Sequence, residues 1–548
     1  MAALVAVVAA SYAVPAPETR SVDFQGYRIA VPGDWQVVDL AAEPGACVRF
    51  DRPTVYVGHP GDQSSCPAGL TGRTAGVVLE PIDATTAERI TDATTLVPAG
   101  RAVAETLVPQ DGSFQVAVQG AGVLVTTAHT TGTEATIRRI LASATISKDA
   151  KPAAALRKTA GAAALAAAGP QPGTFAGRGF DTCAAPSQST MNTWRNSSPY
   201  RAVGIYISGS SRSCSQPNLT ATWVTNQTNN GWRLIPIELD YQAPCGTRTP
   251  KMSSNPATAR NQGASRATAA VNAAKALGIG PGSAIYNDIE HYPSNASCRA
   301  AVLSFLSGWT VRLHELGYLS GMYSSGSSGV LDVCNAYSDP AYVRLDHLWF
   351  AWWNGQANND TGQYCPSNVY ANRQRLHQYA GDVYETWGGV QMRIDRDYLD
   401  VTTDPGSGEP PPSFSVIVDN ETAGRFRASA NWGSSDFSTQ RYGNDYRFAD
   451  PVSASDVAWY QINVPETASY EISVWYPAAS GYNDSTPYIV ATPSGNQSVR
   501  VNQRINGGQW ISLGVFTLAA GDGDRVGVSR WTSGTGYVVA DAVRVTRV

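Results

Sequence analysis

Charge is scarce in this chain. Of 548 residues, 15% are Asp, Glu, Lys or Arg, the formal net charge is −4, and no basic run occurs. A nucleic-acid partner needs a positive patch, so that class of function is excluded. No apolar stretch reaches the ~20 residues that a membrane-spanning helix takes. Cysteines form no CxxC pair and no Cys/His cluster, which are the spacings that hold zinc. The residues call for no metal and no cofactor.

Gly and Pro are plentiful, and there are 14 Trp and 25 Tyr. Low charge combined with many Trp, Tyr, Asn, Ser and Thr is a composition common among secreted carbohydrate-active proteins. Residues 1–19 are signal-like. Met1 to Ala13 is apolar, and Ser11-Tyr12-Ala13 offers a small-residue cleavage site, although the basic leading segment is missing. Of the eight cysteines, Cys47 and Cys66 lie near the N-terminus, while Cys183, Cys214, Cys245, Cys298, Cys334 and Cys365 lie in the middle. An even count in each region predicts disulfides closed within domains, in an oxidising, extracellular compartment. The six central cysteines admit several pairings. Stapling of neighbouring loops in order would give Cys183–Cys214, Cys245–Cys298 and Cys334–Cys365.

Two linkers divide the chain: an Ala/Gly/Pro segment at 148–173 and a Pro/Gly segment at 403–413. Residues 20–147 read as a small α+β domain closed by a short helix near Ala135–Ala144, with no convergent acids, histidines or nucleophiles. Residues 414–548 lack helical periodicity, and their short strands punctuated by Gly, Asn and Pro predict an antiparallel β-sandwich. Residues 174–402 alternate apolar strand-like runs with helical stretches, eight runs in all. That pattern suits a (β/α)8 TIM-like barrel, with an open doubly wound sheet as the alternative.

In such a barrel, functional groups sit at the C-terminal ends of the strands. Asp181 ends the first run, Glu238 and Asp240 the third, Asp288 and Glu290 the fourth, and Asp395 and Asp397 the eighth. Within the Ala284–Glu290 run, Asp288 and Glu290 are two apart and share one face. Trp349, Trp352, Trp353 and Tyr379 fall at or near the ends of the sixth and seventh runs. Carboxylates with aromatic rings suit a sugar, whose hydroxyls need acceptors and whose CH faces stack on rings. A carboxylate pair is also the equipment that cleaves a glycosidic bond.

Gly179-Phe180-Asp181-Thr182-Cys183-Ala184-Ala185-Pro186, with Tyr206-Ile207-Ser208-Gly209, resembles a glycoside-hydrolase-like domain of actinobacterial secreted proteins. That family is in turn similar to the glycoside hydrolase family 25 muramidases. The muramidase pattern is matched by Asp181, Asp288-Ile289-Glu290, Trp349-Phe350-Ala351, Gln378-Tyr379 and Ile394-Asp395. The resemblance implies Glu290 as general acid and Asp288 as the group that holds or stabilises the substrate's N-acetyl function. It implies Asp181 and Asp395 as positioning groups. Glu238 and Asp240 depart from the pattern and are expected to add charge to the cleft or to bind a different sugar. Trp349, Trp352, Trp353, Tyr379 and Asp397 are expected to bind substrate. Val418-Asp419-Asn420, Tyr442 to Arg447, Gly507-Gly508-Gln509-Trp510 and Val538 to Val543 resemble the golvesin C-terminal or xanthan-lyase carbohydrate-binding-like domain. The combination implies a secreted glycan hydrolase whose partner is peptidoglycan or an exopolysaccharide. The alternative is a non-catalytic wall-binding protein on a hydrolase-like barrel. A cleft plugged by loop residues would favour that alternative.

Overall fold

The computed structural model of the protein describes residues 18–158, 169–404, 415–464 and 467–547. Most of the signal-like segment, the Ala-rich centre of the first linker and most of the second linker lie outside the described residues.

The central part is a closed eight-stranded barrel. Its strands are β1 (Phe175–Asp181), β2 (Ala202–Ser208), β3 (Arg233–Glu238), β4 (Ala284–Asp288), β5 (Leu319–Ser325), β6 (His347–Ala351), β7 (Gln374–Trp387) and β8 (Val390–Val401). Helices α1 (Gln188–Ser197), α2 (Ala221–Asn229), α3 (Pro256–Ala276), α4 (Ala296–Glu315) and the short α5 (Leu331–Asn335) follow the first five strands in turn. Closure rules out the open doubly wound sheet. Strands β1 to β6 pair parallel with their successors. Strand β8 is antiparallel to both β7 and β1.

The (β/α)8 expectation is thereby corrected. The eighth strand is reversed, and no helix follows β6 or β7 among the described residues. The cause is local. Only Gly388 and Gly389 separate the paired residues Trp387 and Val390, and their φ angles are 57° and 82°. Two residues at positive φ close a hairpin, whereas a parallel return needs a crossover of roughly a dozen residues or more.

Strand alternation sorts the barrel side chains into two cores. Tyr206, Ile237, Ala284, Tyr286, Trp349, Leu376 and Leu399 fill the interior. Phe180, Val203, Ile205, Leu234, Ile285, Leu348, Phe350 and Ile394 face the helices. The parallel strands are buried on both faces, which is why they read as near-continuous apolar runs. Helices α3 and α4 approach so closely that a Cβ on Gly263 would lie 2.0 Å from the Phe305 carbonyl oxygen.

The N-terminal domain carries a six-stranded mixed sheet, on which helix Glu134–Ala142 lays Ile137, Ile140 and Leu141. In the C-terminal region, antiparallel sheets of four and five strands enclose one core that includes Val418, Tyr460, Ile472, Tyr488, Val526 and Val543. This sandwich docks on the outside of the barrel through Arg260–Glu471 (3.0 Å) and Arg544–Glu315. Four disulfides form, Cys47–Cys66, Cys183–Cys214, Cys245–Cys298 and Cys334–Cys365, and none crosses between domains. The last three tie together segments that follow the C-terminal ends of the barrel strands.

Gly388→Ala tests the reversed strand. A left-handed conformation costs a non-glycine residue roughly 1–2 kcal/mol. The new Cβ would also sit 2.6 Å from Thr193 Cγ2. Equilibrium denaturation is expected to show at least that loss of stability. An unchanged midpoint would argue against the hairpin.

Candidate active site

Asp181, Asp288, Glu290 and Asp395 converge on one pocket at the C-terminal end of the barrel. Each is inward by the same period-two rule that buries Tyr286 below them. Tyr206 from β2, Ile237 from β3, Tyr323 from β5, Trp349 from β6 and Gln378 from β7 complete the barrel's share of the wall. The remaining wall residue is Gly69, from the N-terminal domain. The space enclosed is about 20 Å³, room for about one water molecule.

Gln378 organises the pocket. Its Nε2 donates to Asp181 (3.0 Å) and Asp395 (3.2 Å), while its Oε1 accepts from the Tyr323 hydroxyl (2.9 Å) and the Trp353 indole (3.0 Å). The Asp382 backbone N–H donates to the second oxygen of Asp395. Gln242 grips the acidic segment by its backbone, donating to the Asp288 carbonyl and accepting from the Glu290 N–H, both at 2.8 Å. Asp397 lies beneath the pocket, fully buried, and accepts from Trp349 Nε1 at 3.0 Å. The Glu290 side chain keeps partial exposure, and no protein donor to its carboxyl is found among the described residues.

Burial dominates the proton affinities. It pushes Asp181 up to about 6, with Gln378 and Asp397 working against the rise and the Glu290 charge adding to it. Burial, then the charges of Glu290 and Asp181, raise Asp288 well above the usual carboxylate range. Glu290 is raised by burial and partly offset by Arg248. Asp395 and Asp397 are also held well above the ordinary value, by burial first and by Asp181 second. Carboxyls this close titrate as a set. Asp288 is almost fully buried, so in this closed arrangement it is the better proton holder of the Asp288/Glu290 pair. An ionised Asp288 beside a protonated Glu290, as the resemblance implies, needs a wetter pocket.

Several expected residues lie elsewhere. Ile237 faces the pocket, so Glu238 and Asp240 project from the other face of the strand and its extension. There they meet Arg266 of α3 at 2.6 Å and 3.5 Å, and burial raises Glu238 to about 7. Tyr379 likewise points out of the barrel, edge-on to His377, and its neighbour Gln378 takes the inward place. Trp352 stacks on His377 outside the pocket. Trp353 is 62% exposed on the rim. Trp349 lines the pocket as a buried wall. Tyr206, Ile237, Tyr323 and Gln378 went unassigned in the sequence, although counting inward positions along each strand finds them. Gly69 carries no such signal.

A second concavity lies on the sandwich. A groove of about 780 Å³ is bordered by Ser453, Asn496, Gln497, Ser498, Arg500 and Trp531. Trp531 is 57% exposed. In contrast, Trp432 is buried, and Trp510 packs with Tyr442, Trp475 and Arg544 on the barrel-facing side.

The chain thus joins a closed barrel with a carboxyl-lined mouth to a β-sandwich. Comparison with known families agrees at the level of domains. Residues 192–399 match the family described as Rv2525c-like, glycoside hydrolase-like domain, and residues 416–547 match the golvesin C-terminal domain. The chain therefore carries an Rv2525c-like, glycoside hydrolase-like domain followed by a golvesin C-terminal domain. Xanthan lyase of Bacillus sp. (strain GL1) is 34% identical over 148 residues, 26% of this chain. The match spans only 16% of that enzyme's length. Among solved structures, the Tat-secreted protein Rv2525c of Mycobacterium tuberculosis is 18% identical. That match covers 41% of this chain and 96% of that one, with a TM-score of 0.30. A family 35 carbohydrate-binding module from Clostridium thermocellum is 12% identical, covering 24% of this chain and 98% of its own, with a TM-score of 0.20.

The acid cluster has a thermodynamic signature. A carboxyl whose proton affinity is higher folded than unfolded stabilises most fully below its unfolded pKa, and that stability is lost as pH rises through the folded value. For Asp181 the window runs from 3.8 to about 6, a loss of roughly 3 kcal/mol across it. Asp397→Asn keeps an acceptor for Trp349 and a donor for Asp181 while removing one ionisable neighbour. Thermal unfolding of this variant is expected to show a higher Tm than the parent at pH 7–8 and a flatter profile toward acid pH. Identical profiles would sink this account of the pocket.

Proposed function

We propose that this protein is a secreted glycoside hydrolase acting on a bacterial cell-wall or extracellular polysaccharide. The observation that carries this reading is the convergence of Asp181, Asp288, Glu290 and Asp395 on a single pocket at the catalytic end of a barrel. Glu290 serves as general acid. It is the one member of the four with a partly exposed side chain, and among the described residues no protein donor holds it ionised. Asp288 stabilises the charge that develops beside it or orients an N-acetyl group. Asp181 and Asp395, tethered by Gln378, position substrate and water. The glycoside-hydrolase-like family match supports this assignment. Four disulfides support an oxidising, extracellular setting. No helix among the described residues is long and apolar enough to cross a membrane.

The sandwich holds the polymer. Its golvesin match and the xanthan lyase likeness support a polysaccharide-facing module, and the Trp531 groove supplies a flat ring among amides and hydroxyls. A hold of this kind raises the local substrate concentration at the barrel. One observation favours the second reading, a non-catalytic polysaccharide-binding protein. The acid pocket, as it stands, is far smaller than the ~300 Å³ at which ligand pockets begin.

Two variants separate these roles, with release of reducing ends from a panel of bacterial polysaccharides, peptidoglycan included, as the assay. Glu290→Gln keeps size and fold but cannot donate a proton, and it is expected to lower turnover by ~10²–10⁴-fold with glycan binding intact. Near-parental turnover would remove Glu290 as the acid. Trp531→Ala is expected to weaken pull-down by insoluble polysaccharide about tenfold, a stacking loss of ~1.4 kcal/mol, with turnover on short soluble glycans unchanged. Undiminished pull-down would place the binding surface elsewhere.

A further inference from the structure

We propose that the N-terminal domain is a plug for the acid pocket, with the Pro67–Leu70 segment occupying the entrance that a glycan would use. The inference builds on the reading of that pocket as a glycan site.

Gly69 forms one wall of the pocket, yet it is exposed on its other side, so it sits at the rim with solvent beyond it. Ala68 donates its backbone N–H to Asp382 Oδ1 at 3.3 Å. Asp382 in turn donates its own N–H to Asp395. The loop is therefore hydrogen-bonded to the residue that holds one of the pocket acids. What remains open beneath it is about 20 Å³, where a ligand pocket needs ~300 Å³ or more.

Both ends of the segment are fastened to the barrel. At one end, Cys66 is bonded to Cys47, and the sulfurs of Cys47, Cys66 and Cys214 all lie within 4.8 Å of one another. At the other, the Gly72 N–H donates to the Ser211 carbonyl at 2.8 Å, and Ser213 Oγ donates to the Gly72 carbonyl at 2.6 Å. Further along the seam, Asp62 accepts from Thr190 Oγ1, and Asp111 pairs with Arg266 at 3.0 Å. That pair draws the otherwise unused Glu238 and Asp240 into the seam through the same guanidinium.

Beside these polar contacts, Cys47, Cys66 and Leu70 pack with Cys183, Ala184 and Cys214 in a small apolar cluster, and no disulfide crosses the seam. The domain can leave the mouth without breaking a covalent bond.

The test reads access and turnover separately, in the full chain. All eight cysteines are in disulfides, so Ile237→Cys on the pocket wall introduces a single reporter thiol. Its labelling rate with a sugar-sized maleimide is measured in three backgrounds: the parent, a seam-released chain (Asp62→Ala, Ala68→Pro, Asp111→Gly) and Gly69→Trp. A Cβ at Gly69 lies 3.9 Å from Asp395 Oδ2 and, its chain neighbours aside, meets no other atom within 4 Å among the described residues, so a side chain there starts beside a pocket acid and narrows the opening. The seam-released chain is expected to label about tenfold faster than the parent, from a shifted open–closed balance, and Gly69→Trp more slowly. Where the released chain misfolds, by near-ultraviolet circular dichroism, the Gly69→Trp comparison decides. Equal labelling in all folded backgrounds overturns the plug. Hydrolysis is followed in the same backgrounds without the reporter. Faster labelling with no glycan cut leaves the plug standing and removes the hydrolase reading instead.

Discussion

Keeping several carboxyl groups in one desolvated pocket is the constraint around which this barrel is arranged. Unpaired charges in such a place are strongly unfavourable, and the set responds by holding protons well above the ordinary carboxylate range. The neighbouring groups serve the same end. Gln378 forks between Asp181 and Asp395, Trp349 caps Asp397, and Gln242 fixes the backbone of the Asp288–Glu290 segment. Three disulfides at the same end of the barrel limit how far the surrounding loops can relax. Carboxyls perturbed together in one cleft mark a candidate functional site.

Much of the fold was legible because the parallel strands are buried on both faces. Ala202–Ser208 is apolar nearly throughout, and the buried run Ala284–Asp288 ends in a carboxylate. The reversed strand was not read, although its signal is short and local. Gly388-Gly389 sits between two segments of alternating exposure, the usual mark of a hairpin. Reading eight runs as eight equivalent units hid it. The small residue Gly263 in helix α3 answers to the close approach to α4.

The site was legible in part, and the misses share one cause. Asp181, Asp288, Glu290 and Asp395 converge, whereas Glu238, Asp240 and Tyr379 point away. A strand end identifies a height on the barrel, but not a face. Only the parity with a known interior residue, Ile237 against Glu238 or Leu376 and Gln378 against Tyr379, decides which side chains enter the pocket. Gly69 lies beyond any such rule. It reaches the pocket through tertiary packing from a domain more than a hundred residues away in sequence.

The three domains divide the barrel's surface in a way that gives each a distinct physical task. The sandwich attaches to the outer helices, through Arg260–Glu471 and Arg544–Glu315, and leaves both the mouth and its own Trp531 groove uncovered by that contact. The N-terminal domain attaches at the mouth itself, and its seam engages carboxylates that project away from the pocket. Glu238 and Asp240 illustrate the consequence. Their charge is spent on Arg266, and Arg266 also holds Asp111 of the N-terminal domain. Neutralising Arg266 would therefore strand three acids together behind the barrel wall. The seam is for this reason part of the barrel's electrostatic balance, and the closed mouth is the arrangement in which that balance is satisfied.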